Sequence, residues 1–451
     1  MTAASPAAGN AIEGTDRRLL VEPQREVPVV EVADVVVCGG GPAGVTAAIA
    51  AARTGAKTRL IEVNGCLGGV WTAGLLSWIL DSGNKPGIMQ EIIVRLKDRG
   101  ATARYGGSVG YDVEQMKIVL DEMCREAGVQ VRLHTRVVAA AKDQAGRLNA
   151  AITESKSGRE AFAGAMFVDA SGDGDLAARA GCRFDYGHPQ THKAQPMSMI
   201  ALLAGIEADE VAPFVRGLAE PRKLGSPKDN LLAEMRKAGV DPSYSRPTLF
   251  YIRQGLFCMM ANHEYEVCGM NADEVTAATL RGRAEVHQLI NALRKLGDPW
   301  KNVRIIVTAE HIGVREGRRI SGHYTVSTAD LANGARHADA VCRCEFPVDV
   351  HSIDPTKDKG IPSQGVRALP YDIPYRALIA KDVDGLLLAG RCISGDFIAH
   401  SSYRVTGDAV AMGEAAGAAA AVAARTARLP QEVPWPELKA ALSRSNTAQE
   451  S

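Results

Sequence analysis

Three glycines at fixed spacing stand in "VVVCGGGPAGVTAAIAAARTGAKTRLIE", which runs from Val35 to Glu62. Gly39, Gly41 and Gly44 form a G-x-G-x-x-G turn between an apolar run and an alanine-rich one, the setting in which such a turn holds the diphosphate of a dinucleotide. Gly39 permits the tight turn, Gly41 lets backbone approach the pyrophosphate, and Gly44 lets helix pack on strand. Pro42 and Ala43 open a helix whose free N–H groups and partial positive charge favour an anion. Glu62 follows at the end of the next strand, where a carboxylate accepts from both adenosine ribose hydroxyls and repels a 2′-phosphate. The alternative, a glycine-rich turn with no ligand, does not explain strand, helix and terminal acid together.

Other reactive side chains exclude more than they establish. The nine cysteines, at positions 38, 66, 124, 182, 258, 268, 342, 344 and 392, include no CxxC pair, as expected of reduced thiols in a cytoplasmic protein. Cys66 has no second cysteine a few residues on, which argues against dithiol chemistry. Cys342 and Cys344 read as two residues on one side of a strand. His188 and His192 are spaced for a metal on a helix, but Pro189 separates them and no acidic third ligand follows, so no metal is expected. His351 in "PVDVHS" and the arginines Arg315, Arg318 and Arg319 of "GVREGRR" come from the middle of the chain. Either they face a reacting centre from the substrate side, or they form an internally paired basic strand; the second reading is the safer one for at least two of the arginines.

The elements that must position these residues follow from periodicity. An unbroken apolar strand over Val35 to Val37, the glycine turn, a helix to Ala52 and a strand over Thr58 to Ile61 make a βαβ opening and a parallel sheet. Asp112 caps a helix reaching Gly128, a strand-like "VQVRLHTRVVAAA" follows, and "AMFVDASGDGDLAARAG" carries a strand into a second glycine turn. From Cys182 to about Tyr371 the texture turns to mixed charged helices and short strands. "VDGLLLAGRCISGDFIAHSSYRVTGDAVAMGEAAGAAAAVAAR" then restores the opening texture. The expectation is a flexible arm over residues 1–32, a discontinuous cofactor domain over 33–181 and 375–425, a substrate domain over 182–374, and a C-terminal helix and tail over 426–451.

With 52 Lys+Arg against 52 Asp+Glu and 5% aromatic residues, the chain offers neither a basic footprint nor stacking platforms for nucleic acid. The apolar run from Ala409 to Ala424 is broken by Glu414 and is too short and small-residue-rich to span a bilayer, so a buried helix is expected. The first thirty or so residues lack the apolar core of a signal peptide.

Three further clusters decide between NAD and FAD. "NGCLGGVWTAG" brings Gly68 and Gly69 just beyond the ribose acid, "FVDASGDGD" brings Ala170, Gly172 and Asp173 to another strand end, and "LLLAGR" brings Gly390 and Arg391 far downstream. Clusters spread over most of the chain suit a long, stretched FAD.

The chain resembles the FAD-dependent oxidoreductase family of the glutathione-reductase-like flavoprotein superfamily, in the group with LGG-x-x-T-x-G after the first motif. The matches are "LGGVWTAG", "YDVEQMKIVLDE", "VDASGDGDLAARAG", "QPMSM", "IGVREGRRISGHY", "FPVDVHS", "IPYRALI" and "AGRCIS" with "AHSSYRV", between Ala33 and Ala424. The resemblance implies an α/β fold: a Rossmann-like FAD-binding domain built on a parallel sheet, discontinuous in sequence, with an inserted α+β substrate domain. The implied FAD contacts are Gly39, Gly41, Pro42, Ala43, Gly44, Glu62, Val63, Gly68, Gly69, Thr72, Val138, Ala170, Gly172, Asp173, Gly390, Arg391, Val405 and Thr406.

The same resemblance points the N-terminus of the helix beginning near Val405 at the flavin, where its dipole stabilises the reduced anion. Arg404 has two readings of equal standing, a bidentate partner for a substrate carboxylate or a ligand of FAD or of Asp408. His400 stands as a general base or as a structural histidine. His351 and Arg319 complete the candidate catalytic set. No second GxGxxG lies between residues 180 and 375, so electrons are expected to come from the substrate and to leave to oxygen or a carrier protein. The expected activity is hydride transfer between flavin N5 and a C–OH, C–N or C–C bond of a small molecule. Redox-neutral elimination, isomerisation or dehalogenation, an NAD(P)H-supported reductase or monooxygenase, and a cofactor-holding subunit without chemistry stay open, as does a homo-oligomer.

Overall fold

Val35, Val36, Val37 and Cys38 are fully buried, as an unbroken apolar run must be when both faces of a sheet are covered. They form the inner half of β1 (Val29–Cys38) in a computed structural model that describes residues 20–105, 108–216, 218 and 226–447. The outer half of β1 enters the stretch expected as an arm. Val29 and Val32 are exposed, so hydropathy gives no sign of a strand, yet the segment pairs in parallel with Ala161 to Gly164 and satisfies its backbone there. Of the expected arm and tail, residues 1–19 and 448–451 lie outside the described residues.

The turn after β1 leads into α1 (Pro42–Arg53) and then β2 (Thr58–Ile61), the βαβ opening read from the sequence. Asp112 caps α2 (Val113–Glu126) by accepting from the Glu114 N–H. Four strands follow, β3 (Gln130–Arg132), β4 (Arg136–Lys142), β5 (Leu148–Ser155) and β6 (Gly158–Asp169). The sheet runs β3-β2-β1-β6-β5-β4. Its remaining strand, β12 (Leu386–Leu388), arrives more than two hundred residues later and pairs in parallel with the inner end of β6.

Register matters more here than strand count. Cys38 lies opposite both Ile61 and Asp169, and Asp169 lies opposite Leu388. The glycine turns that follow β1, β6 and β12 therefore emerge at one level on the carboxyl edge of the sheet, where open α/β sheets bind ligands.

Between β6 and β12 the chain builds a second sheet. Its strands are β7 (Ile200–Ala204), β8 (Val215–Arg216), β9 (Thr248–Arg253), β10 (Leu256–Met260) and β11 (Arg304–Thr308), ordered β8-β9-β10-β7-β11. The helices α3 (Pro227–Lys237) and α4 (Ala272–Arg294) belong to the same stretch, the latter capped by Asn271. After β12 come the short α5 (Phe397–Tyr403), the long α6 (Thr406–Thr426) and α7 (Trp435–Thr447). Among the described residues no helix is long and apolar enough to cross a membrane.

The alanine-rich α6 is buried along nearly its whole length because it lies against α1 at backbone distance. A Cβ on Gly413 would come within 2.1 Å of the Ala43 carbonyl oxygen, and one on Gly417 within 1.9 Å of the Ala47 carbonyl oxygen. The Thr46 hydroxyl donates across the contact to the Val410 carbonyl at 3.0 Å. Replacing Gly417 with valine should force the helices apart and cost about 3 kcal/mol or more, near the upper end for overpacking. The expected readout is a lower thermal midpoint by circular dichroism; an unchanged midpoint would show that the helices do not meet this way.

Candidate active site

The dinucleotide turn shows which of its glycines the protein itself needs. Gly39 has φ +101°, and a Cβ there would meet the Ala170 carbonyl oxygen at 2.4 Å; one on Gly44 would meet the Gly39 carbonyl oxygen at 1.7 Å. At Gly41 the backbone is extended (φ −71°, ψ −172°) and an added Cβ meets nothing within 4 Å among the described residues. Fold and packing thus require Gly39 and Gly44, whereas Gly41 is left bare toward open space. Gly41 also caps α1 without a side-chain hydrogen bond, so the first N–H groups of the helix stay available to an anion.

Glu62 is buried at the end of β2. Its carboxylate accepts from the Gly40 N–H at 2.5 Å and from the Asn64 N–H and Nδ2 at 2.8 and 2.7 Å. Burial pushes its pKa up against these hydrogen bonds. Three of about four acceptor positions of the carboxylate are filled from within the chain. Glu62 therefore braces the turn, and its capacity toward a ribose is narrower than the two hydroxyls expected. Val63 beside it is 42% exposed.

The loop after Glu62 folds over the turn. The Gly68 N–H donates to the Gly40 carbonyl at 2.7 Å, and a Cβ on Gly69 would sit 3.0 Å from the Gly41 Cα. Thr72, expected to touch the cofactor, instead donates its buried hydroxyl to the Leu67 carbonyl at 2.5 Å and closes this loop on itself. Val138 falls at a register shift between Val137 and Ala139, where the ladder with β5 is interrupted.

At the next turn, Arg391 gathers the other two motifs. Its guanidinium donates to the Gly172 carbonyl at 3.0 Å, to Asp173 Oδ1 at 2.7 Å and to the Val314 carbonyl. Ala170 donates to the Cys38 carbonyl beside Gly39, and Gly390, at φ +80°, backs onto Ala43. Sequence clusters far apart in the chain are thus one continuous edge.

Val405 caps α6 without a side-chain hydrogen bond, and the Thr406 hydroxyl next to it is buried with no partner among the described residues. Asp408 in the first turn is not bound to Arg404. It pairs with the buried Lys85 at 2.9 Å and accepts from the Cys344 thiol at 2.7 Å, while Lys85 also reaches Asp81 at 3.2 Å. Asp81, Cys344 and Asp408 lie close enough to share a metal ion, but the Lys85 ammonium already supplies the cation. Burial opposes its charge, yet Asp408 and Asp81 hold its pKa above the ordinary lysine value.

The candidate catalytic residues do not all meet. Arg404 donates to the Asp349 carbonyl at 2.8 Å, to Asp349 Oδ2 at 3.3 Å and to Gln195 Oε1 at 3.5 Å. His351 Nε2 lies 3.3 Å from Asp349 Oδ2, and its Nδ1 lies 2.9 Å from His263 Nε2. Arg315 is buried beside them, donating to the Pro196 carbonyl and to Ser198 Oγ at 2.5 and 2.9 Å. Burial and the neighbouring Arg404 bring its pKa down to about 10. Burial, then the Arg315 charge, push His351 down to about 3 despite Asp349, so the imidazole is neutral. Burial would raise the Asp349 carboxyl, but His351, Arg404 and Arg315 hold it well below the usual range.

For His400 and Arg319 the structure favours the second of the readings the sequence left open, a structural histidine and an internally paired arginine. His400 is fully buried within α5; neither ring nitrogen makes a well-formed hydrogen bond, and burial with the charges of Arg319, Arg404 and Arg391 drives its pKa well down. It has no hydrogen-bonded carboxylate to orient it as a base. Arg319 is paired with Glu316 at 2.5 Å and donates to the Gly187 carbonyl at 3.0 Å, so it ties its own short strand to the loop after Asp185. Arg315 is the arginine of that motif that joins the site. Asp349, Gln195 and His263 were missed. Asp349 stands two residues before His351 in "PVDVHS", a D-x-H signal that the sequence did carry.

Among the described residues, three buried polar atoms at and beside the start of α6 have no partner: Thr406 Oγ1, Arg404 Nε and Gln195 Nε2. Interiors rarely tolerate such groups unless something else satisfies them. Together with the bare Gly41 cradle, they fit a ligand with a diphosphate at one end and a polar heterocycle at the other.

The family described as FAD dependent oxidoreductase matches residues 34–442. No curated protein matches the chain. Among solved structures, a geranylgeranyl bacteriochlorophyll reductase-like protein from Thermoplasma acidophilum is 14% identical, over 93% of this chain and 83% of that one, with a TM-score of 0.45. A myxobacterial chondrochloren halogenase, described as FAD-dependent, is 13% identical over 91% and 78%, with a TM-score of 0.43.

The glycine geometry separates folding from cofactor binding. Gly41→Ala should leave the thermal midpoint of the apoprotein within about 0.5 kcal/mol equivalent of wild type, yet lower the FAD content of the purified protein. Gly39→Ala should destabilise the fold itself. Equal FAD content in Gly41→Ala and wild type, read from the flavin absorbance, would remove Gly41 from the cradle.

Proposed function

The chain belongs to the FAD dependent oxidoreductase family, and on that premise we propose that it oxidises a small organic anion at a C–OH or C–N bond by hydride transfer to its FAD cofactor. The observation that supports this most is Asp349, held between His351 and Arg404, the latter two residues before the first turn of α6. When bound, the flavin supplies the hydride acceptor. The residues of the chain do the rest.

Charge around Asp349 is strongly unbalanced. Arg404 and Arg315 flank it, and the ammonium of Lys228 at the start of α3 feels the charges of Arg216, Arg246 and Asp349. Arg246 is paired with Asp229, but Arg216 lies over the Trp78 ring and has no acidic partner among the described residues. With Glu316 paired to Arg319 and Asp229 to Arg246, Asp349 is left facing Arg404, Arg315 and Lys228, which suits a substrate bearing a carboxylate or phosphate that a guanidinium binds in bidentate fashion.

Asp349 keeps 23% of its side chain exposed. That face can accept a hydrogen bond from a substrate hydroxyl or ammonium while Arg404 orients the anionic group; the carboxyl, held well below the usual carboxylate range, stays ionised and positions the donor. His351 does not touch the substrate in this reading: both its ring nitrogens are engaged, and it positions Asp349. The start of α6, with the positive end of its dipole, favours negative charge developing beside it. All nine cysteines are unpaired, which supports a reducing compartment.

Anaerobic mixing of the holoenzyme with 2-hydroxy and 2-amino acids should bleach the flavin band with at least one of them. Turnover without lasting bleaching would favour redox-neutral chemistry instead. Asp349→Asn should slow bleaching by about 100-fold, as misplacing a reacting group by about 1 Å does. Arg404→Met should raise KM for the anion by about 100-fold, as loss of a desolvated charged partner does. Burial, with help from Arg216 and Arg246, brings the Lys228 pKa down to about 8. Its positive charge is present below that pH and lost above it, so KM for the anion should rise as pH passes 8. Lys228→Gln should flatten the rise, and a KM independent of pH between 7 and 9 would remove Lys228 from substrate binding.

A further inference from the structure

Residues 310–314 cross the cofactor edge between two of its turns. At one end the N–H groups of Glu310 and His311 donate to the Ala73 carbonyl at 3.1 and 3.2 Å, which ties them to the loop that folds over Gly41. In the middle Gly313 exchanges both backbone hydrogen bonds with Ser198, at 2.9 and 3.2 Å. At the other end the Val314 carbonyl accepts from the Arg391 guanidinium. The segment is a strap, and both its anchors belong to loops that surround the dinucleotide turn.

The chain gives the His311 side chain no partner. It is exposed, and it makes no hydrogen bond, ion pair or ring contact among the described residues. Arg391 and Asp173 face it from the cofactor edge, Arg136 from the start of β4, and Glu310 from its own segment. Lys117 of α2, which feels Glu310, is paired with Glu114 at 2.7 Å. The ring is open to the cleft yet screened from bulk water by its walls. That desolvation, then the Arg391 charge, hold its pKa below the ordinary histidine value, so the chain alone keeps the imidazole neutral near pH 7.

We propose that His311 is a ligand of the FAD diphosphate and takes up a proton from solvent when the cofactor binds.

The charges around the turn support this. A diphosphate carries two negative charges on oxygens that only accept, and against them the turn sets backbone N–H groups and the positive end of α1, about half an elementary charge. Arg391 adds little, because Asp173 neutralises it at 2.7 Å and its donors go to Asp173, Gly172 and Val314. A neutral imidazole presents one N–H and one lone pair, and the lone pair repels a phosphate oxygen. The protonated ring presents two donors and a charge. Binding therefore pulls the His311 pKa upward. The charge is fully present below the pKa of the free chain and lost above the raised one, so FAD affinity falls as pH rises through that window, tenfold for each unit of the rise. Asp173 is the other group here that could titrate: burial raises its carboxyl, and Arg391 opposes the rise.

Only the cofactor is needed for the test; Asp349 and its substrate do not enter. In holoenzyme labelled with ¹⁵N in histidine, His311, assigned by its loss in His311→Gln, should carry protons on both ring nitrogens at about pH 7. The ³¹P resonances of the bound FAD should shift with the midpoint of His311. A neutral His311 in the holoenzyme, or ³¹P resonances that stay constant while it titrates, would overturn the assignment. So would a ³¹P titration that survives in His311→Gln, which would belong to Asp173. Release of FAD from diluted holoenzyme, read as free flavin after filtration, should be at least about tenfold faster in His311→Gln at pH 7 and should no longer accelerate between about pH 7 and 9. His311→Lys keeps a charge across that range and should release FAD slowly throughout. If His311→Gln loses FAD altogether, the lysine variant decides: retention of FAD supports the assignment, and loss overturns it.

Discussion

Two helices that start far apart in sequence meet here with almost nothing between them, because Gly413 and Gly417 of α6 face the carbonyls of Ala43 and Ala47 of α1. No pair of side chains could fill so small a gap. The contact is worth more as a constraint than as buried area, since backbone against backbone leaves little room to slide or splay. Its effect is to fix the start of α1 and the start of α6 in one frame. Strand register completes that frame, with Cys38, Asp169 and Leu388 in line and the turns after β1, β6 and β12 at one edge.

From that frame the electrostatics follow. The opening of α1 is left uncapped and bare at Gly41, while the opening of α6 is uncapped at Val405 but anchored through Asp408 to Lys85. Burying the charged Lys85 is costly unless its partners stay close, and Asp81 and Asp408 provide them. The arrangement ties the loop around Asp81 to the base of α6, so the segment that follows the first motif and the helix that follows the last cannot drift independently. Gly407 shows the same closeness in its own backbone: its N–H donates to the Leu80 carbonyl.

The line of hydrogen bonds from Arg404 through Asp349, His351 and His263 to the Tyr265 hydroxyl draws on four separate parts of the chain. Arg404 belongs to the end of the cofactor region; Asp349 and His351 come from an irregular stretch; His263 and Tyr265 follow β10 of the second sheet; Gln195 precedes β7 and accepts from the His351 N–H at 3.0 Å. The line therefore joins the end of the cofactor region to the segments that flank the second sheet. Positive charge dominates it, and only hydrogen-bonded neutral groups extend it inward. Such a division lets a buried site bind an anion at one end without stranding a charge at the other.

The sequence by itself determined the opening βαβ unit, the capped helix after Asp112, the return of the cofactor texture near Leu386, and the roles of Gly39 and Gly44. Each of these depends on neighbours close in the chain: periodicity, a cap, a turn that only glycine can make. It did not determine the outer half of β1, whose exposed valines carry no pattern, nor that Thr72 and Glu62 are engaged with their own loop and turn. His400 and Arg319 had suitable chemistry and suitable spacing, yet the tertiary structure buried one away from any orienting carboxylate and paired the other with Glu316. It joined His351 to His263 instead, across eighty-eight residues of chain. Residue type limits what a side chain is able to do, but a hydrogen bond forms only between atoms about 3 Å apart, and that distance is set by packing between segments the sequence holds far from one another.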